Sequence, residues 1–199
     1  MPPAAADLAT QALAEEMKYR FPSFSASDAV ALVASSRHLK GKGLVISIQT
    51  IGGHVLFACT VGDLGNGIGD VSMDSWACLE GMINTVKRTG HSSFYVEKGM
   101  SALGKSTTGI PGDPFPVNGG AFPIWMENAP CCPIAVVACY SGSSQEDHAL
   151  VASTVRDYLT KLRRNSEEPA PSMPEPEQPV PVGLRNNSKV KLGDRLINF

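Results

Sequence analysis

The sequence predicts one α+β domain over residues 1–164, a central antiparallel sheet with helices packed on it, followed by a Pro/Glu-rich linker and tail over 165–199. Three features predict this. Two β-rich runs, Leu44–Ile51 and His54–Val61, are separated by Gly52-Gly53. Paired glycines accept the positive φ angles of a tight reversal. Pro133–Tyr140 is apolar at both alternating sets of positions, Ile134, Val136, Ala138 and Tyr140 against Ala135, Val137 and Cys139, which marks a central strand covered on both sides. Apolar residues at helical spacing flank these strands.

The first helix is expected over residues 4–20, with Leu8, Ala12, Leu13 and Met17 on its packing face. Ser25 caps a second helix whose first turn holds Asp28, where an acid favours the positive end of the dipole. Ala29, Leu32, Val33 and Ser36 form its face, and Gly41 and Gly43 stop it. A two-residue turn pairs Thr50 with Val55, Ile48 with Phe57, Ile46 with Cys59 and Leu44 with Val61, an almost wholly apolar face. The reverse face, with Val45, Ser47, Gln49, Leu56, Ala58 and Thr60, reads as neither wet nor dry.

A third helix runs from about Met73 to Arg88, with Trp76, Leu79, Ile83 and Val86 on one side. Ser92–Glu97 reads as a short strand and Gly99–Gly120 as a long ordered loop. Phe122–Glu127 is the next strand. Ser144–Asp147 opens a last helix with Leu150, Val151, Val155, Tyr158, Leu159 and Leu162 as its buried stripe. Beyond it, prolines and glutamates crowd Glu167–Val182, which cannot build a core. The basic end, Gly183–Phe199, reads as a solvated tail, with docking on a protein partner as the alternative.

Composition excludes several function classes. A net charge of -2 gives no broad positive field, so no nucleic-acid partner is expected. No stretch of 18 apolar residues exists, so no membrane span is expected. The first residues lack a basic segment and Asp7 interrupts them, so the cytoplasm is the expected location. The five cysteines, Cys59, Cys78, Cys131, Cys132 and Cys139, match no zinc spacing and read as reduced thiols. Cys131 and Cys132 are adjacent, and in a strand they would point to opposite faces.

Gly99–Ser106 satisfies the phosphate-loop pattern GxxxxGK[ST]. A genuine phosphate loop runs into a helix at the Lys-Ser pair, but here Pro111 and Pro114 follow too soon. Gly65–Gly69 is GxGxG after an antiparallel strand, and so a loop rather than a dinucleotide fingerprint. Of His38, His54, His91 and His148, no two stand at metal-ligand spacing. His91, in a loop after Arg88 and Gly90, is the first candidate for binding or proton transfer. His148, in the first turn of the last helix, either faces solvent or joins Asp147 as an acid/base pair.

Asn118-Gly-Gly-Ala-Phe-Pro-Ile124, Tyr140-Ser-Gly142, Gln145–Val151, Trp76, Asn84–Arg88 and His91–Ser93 together resemble the haem-degrading-domain family, in its branch of small fungal and bacterial proteins. The resemblance spans about residues 24–160. It implies a profilin-like fold and symmetric homo-oligomers. Some relatives are linked to haem or small metabolites, which makes haem the candidate cofactor. The chain departs from the pattern in three places, one being a segment from Trp76 to His91 longer by about two residues. The family's basic cluster after the tryptophan is here Ala77–Glu80, and the histidine before Gly-Gly is Asn118.

These features place the expected small-molecule site where the Gly119-Gly120-Phe122 loop meets His91 and Arg88. Arg88 would attract a carboxylate or phosphate, Trp76 or Phe122 would supply apolar contact, and Asn118 would stand in the histidine's place. No metal site is expected. The first functional reading is an oligomeric small-ligand-binding protein. The alternatives are a cofactor-independent lyase, isomerase or cyclase using His91, Asp147 or His148, and an adaptor that docks through its tail.

Overall fold

The computed structural model describes residues 4–34, 43–61, 71–108, 116–129 and 131–167. All lie in the first of two units into which the chain divides, Met1–Glu167 and Glu168–Phe199. The expectations for the tail, His38, Ser36, Gly41 and Gly65–Gly69 fall outside the described residues. In chain order the elements are α1 (Ala5–Lys18), β1 (Arg20–Phe21), α2 (Ala26–Ala34), β2 (Leu44–Thr50), β3 (Val55–Val61), α3 (Met73–Thr89), α4 (Ser93–Ala102), β4 (Ala121–Met126), β5 (Ala135–Tyr140) and α5 (Ser144–Glu167).

The sheet order is β1-β4-β5-β2-β3. The doubly apolar β5 is central, antiparallel to both β4 and β2. One face of the sheet, with Leu44, Ile46, Ile48, Phe122, Ile124 and Val137, packs against α2 and α5 through Ala29, Leu32, Val151, Val155 and Leu159. The other face, with Val45, Ala121, Val136 and Ala138, packs against Leu79, Met82, Ile83 and Val86 of α3. Burial of each Val, Leu, Ile, Met or Phe side chain among them contributes about 1.5–3 kcal/mol. The uncommitted reverse face thus divides: α3 covers Val45, Ser47 and Gln49 of β2, while Val55 and Ala58 of β3 stay exposed.

Four expectations need correction. First, the sheet is mixed, because β1 adds to β4 in parallel, pairing Arg20 with Trp125 and Phe21 with Met126. Second, the hairpin register holds from Leu44–Val61 to Ile48–Phe57, then shifts so that Gln49, not Thr50, faces Val55. The cause lies in the turn. Thr50 N–H donates to His54 O and Gly53 N–H to Thr50 O, both at 2.9 Å, and Gly53 has φ 93°. That is a three-residue loop closed by a left-handed glycine.

Third, Ser92–Glu97 is not a strand but the start of α4, which also takes in Gly99–Ala102. Ser92 Oγ caps it by accepting the Tyr95 N–H, and packing on α1 overrides the β preference of Phe94, Tyr95 and Val96. Fourth, α1 buries Ala9, Ala12 and Glu16 while Met17 is 68% exposed. Its inward stripe is rotated because it carries a buried carboxylate.

Candidate functional site

Gly90 ends α3 in the left-handed conformation, φ 74°, and its N–H donates to Val86 O at 2.8 Å. Only glycine adopts this conformation freely. The reversal delivers His91 and then Ser92 to the side of α1. There the buried Glu16 grips both: His91 Nδ1 lies 2.9 Å from Oε2, and Ser92 N–H donates to Oε1 at 2.7 Å. A carboxylate only accepts hydrogen bonds, so Nδ1 carries the proton and Nε2 is the remaining ring nitrogen. Tyr95 packs on the imidazole with ring centroids 4.8 Å apart. The His91 side chain is 41% exposed. A carboxylate that holds one nitrogen of a histidine in this way fixes the orientation of the ring.

His91 lines a cleft of about 320 Å³ with Ile51, Lys87, Arg88, Trp125, Cys131, Cys132 and Pro133. The cleft sits at the C-terminal end of α3, against the β4–β5 connection. Strand alternation places Trp125 here: Phe122 and Ile124 face α5, so Ala121, Pro123 and Trp125 face the α3 side. Arg20 lies over the indole, 4.6 Å from its centroid, with Nη1 buried and without a hydrogen-bond partner among the described residues. Lys87 Nζ donates to Gln49 Oε1 at 2.9 Å and stands 3.9 Å from Glu80. The cleft thus combines an oriented imidazole, two cations and an aromatic wall.

A second cleft, of about 310 Å³, lies between α1 and α5 and is lined by Glu15, Tyr19, Phe94, His148, Ala152 and Arg156 among others. His148 does not face solvent: it is buried, stacked on Phe94 at 4.4 Å between centroids, with Nε2 3.1 Å from Glu15 Oε2. That hydrogen bond holds the Glu15 carboxyl below its ordinary range. Successive glutamates of α1 therefore bind the two histidines, Glu15 to His148 and Glu16 to His91.

The remaining predicted residues lie elsewhere. Asp147 is buried beside the β5–α5 connection, where it accepts from Ser141 N–H at 3.0 Å and Ser141 Oγ at 2.6 Å. Burial pushes its carboxyl up to about 6. Gly119 and Gly120 are tight packing points. Gly119 N–H donates to Glu97 Oε2 and Ser144 Oγ, each at 2.8 Å, and a Cβ on Gly120 would run into Cys139 O. Phe122 is fully buried in the core and Asn118 is half-buried on the approach to β4. Trp76 packs at the start of α3, roughly 20 Å along the helix from its end at 1.5 Å per residue. Arg88 and His91 share one cleft, then, but Trp125 rather than Trp76 or Phe122 supplies its aromatic wall. Sequence reasoning missed Glu16 and Trp125. Strand periodicity carries the signal for Trp125. No local signal marks Glu16, whose partner is 75 residues away.

The phosphate-loop pattern has no matching structure, since Gly99 lies inside α4 and Lys105 and Ser106 follow that helix instead of opening one. Among the described residues no group of three or more His, Cys, Asp or Glu side chains is placed to hold a metal ion. Nor is any described helix long and apolar enough to cross a membrane.

A mixed sheet covered on both sides, with a histidine-bearing cleft at its margin, defines an α+β scaffold of the profilin-like kind. The chain belongs to the family described as haem degrading protein HbpS-like, whose model matches residues 24–156. Two solved structures show the same fold. The Ybr137w protein aligns with a TM-score of 0.65 at 23% identity, covering 77% of this chain and 89% of that one. The Klebsiella pneumoniae protein ORFY, of family DUF336, aligns with a TM-score of 0.50 at 14% identity, covering 71% and 93%. A search of the curated proteins returned no match.

Proposed function

We propose that the protein binds a small carboxylate-bearing ligand, with haem the first candidate, in the cleft at the C-terminal end of α3. One observation carries the reading: His91, held through Nδ1 by the buried Glu16, lines this cleft together with Lys87 and Arg88. The residues suit haem. His91 is a ligand for iron, Lys87 and Arg88 are partners for propionates, and Ile51, Trp125 and Pro133 are apolar surface for a macrocycle. Bound haem would supply a redox-active iron, and the chain's part is to hold and orient it. The family description, which names haem, adds support. The test is an absorbance titration of the purified chain with haem. His91→Ala and Arg88→Ala should each weaken binding at least tenfold, and unchanged affinity in both would overturn the assignment.

The His91–Glu16 pair also favours a second reading, a cofactor-independent enzyme in which His91 accepts a proton from a bound carbon acid. Solvent deuterium entering small carboxylic acids, and lost with His91→Ala, would support it. No incorporation across such a panel would remove it. Self-association belongs to the same proposal, because among the described residues β3 has a sheet neighbour on one side only and exposes Val55. Sedimentation equilibrium should give a mass above the monomer, and a monomer at every concentration would exclude it. A tail that docks a partner predicts that deleting residues 165–199 changes the proteins captured by pull-down.

A further inference from the structure

Cys131 and Cys132 are both exposed free thiols, and both line the cleft beside His91. They stand on the β4–β5 connection, not in a strand, so the alternation that would send adjacent side chains to opposite faces does not apply. The other three cysteines are placed differently. Cys139 is buried, its thiol donating to Asp147 O. Cys59 packs on the α2 and α5 face of the sheet, while Cys78 belongs to α3 on the opposite face.

Adjacent thiols suit some chemistry better than others. Their Cα atoms are about 3.8 Å apart across a trans peptide. Unstrained disulfides need about 4.4 Å or more between Cα atoms. A direct S–S bond between Cys131 and Cys132 would therefore be strained and easily reduced. A single soft atom bridging the two sulfurs removes that constraint, because each sulfur need only reach the bridge, at about 2.3 Å for a typical metal–thiolate bond. Thiolates select soft centres of this kind. We propose that Cys131 and Cys132 form a two-sulfur site for a thiophilic trivalent arsenical, set in the wall of the cleft. With an arsenoxide two As–S bonds form, the two thiol protons leave with the arsenic-bound oxygen as one water, and arsenic stays trivalent. This site is independent of the haem reading and needs none of the cleft's cations.

The experiment treats the reduced full-length chain with one equivalent of phenylarsine oxide, washes with excess glutathione, and reads intact mass. The wild-type chain should keep one adduct, with the mass of the reagent less one water. That adduct should resist the monothiol and be released by 2,3-dimercaptopropanol. Cys131→Ser and Cys132→Ser, both at exposed positions, should each lose the adduct to glutathione at least tenfold faster. A wild-type adduct that washes off with glutathione as fast as those of the single variants would overturn the proposal. So would an adduct retained when Cys131→Ser and Cys132→Ser are combined in one chain.

Discussion

Asp147 gives the most quantitative prediction. It is buried at the β5–α5 connection, and burial raises its carboxyl from the ordinary 3.8 to about 6 despite two hydrogen bonds from Ser141. Each pKa unit of difference corresponds to 1.36 kcal/mol, so this gap corresponds to about 3 kcal/mol. Below pH 3.8 the group is protonated in both the folded and unfolded chains, and its contribution to stability is fully present. As pH rises through about 6 the folded chain must ionise a buried acid, and the contribution is lost. Asp147→Asn removes the ionisation. Its amide still offers an oxygen to Ser141 N–H, and its NH2 can donate to a rotated Ser141 Oγ. The variant should therefore match or exceed the wild type at pH 7.5, by up to about 3 kcal/mol. The difference should shrink toward pH 4. Urea denaturation of both proteins between pH 4 and 8 reads it directly. A difference between the two that stays constant across that range would mean that ionisation of Asp147 does not weaken the folded chain.

Four further substitutions probe the frame of the site. Gly120→Ala places a Cβ against Cys139 O and 3.0 Å from Asp147 Cβ at φ 137°, and should cost more than about 2 kcal/mol. Gly142→Ala, also at positive φ but in open space, should cost only about 1 kcal/mol in the same thermal melts. Glu16→Ala leaves the buried Ser92 N–H and the part-exposed His91 Nδ1 without their acceptor and should cost roughly 1–3 kcal/mol. Glu16→Gln keeps an acceptor for Ser92 and should cost less than half as much by urea denaturation.

The layers of the fold were legible because they follow from periodicity. Two-sided apolarity put β5 at the centre of the sheet, and α5 buries Val151, Val155, Tyr158 and Leu159 as the helical repeat requires. Features set by tertiary partners were less legible. Phe94, Tyr95 and Val96 favour a strand locally, yet a serine cap and contact with α1 make them helix. The rotated face of α1 follows from Glu16, whose burial makes sense only once His91 and Ser92 arrive from the far side of the chain. The site divides in the same way. Arg88 and His91 are near in sequence and share a cleft. Trp76, almost a whole helix away, cannot reach it, while Trp125 can because its strand directs it there. Cys131 and Cys132 share that cleft because they occupy a turn, where strand alternation gives no guide.

The proposed ligand meets the protein at the end of α3, where Glu16 holds His91. Haem titration followed by proton–nitrogen amide spectra locates the contact residue by residue. The strongest broadening should fall on Ile51, Lys87–His91, Trp125 and Cys131–Cys132. Broadening centred instead on Leu8–Tyr19 and Gln145–Arg156 would place the ligand between α1 and α5 and contradict the account.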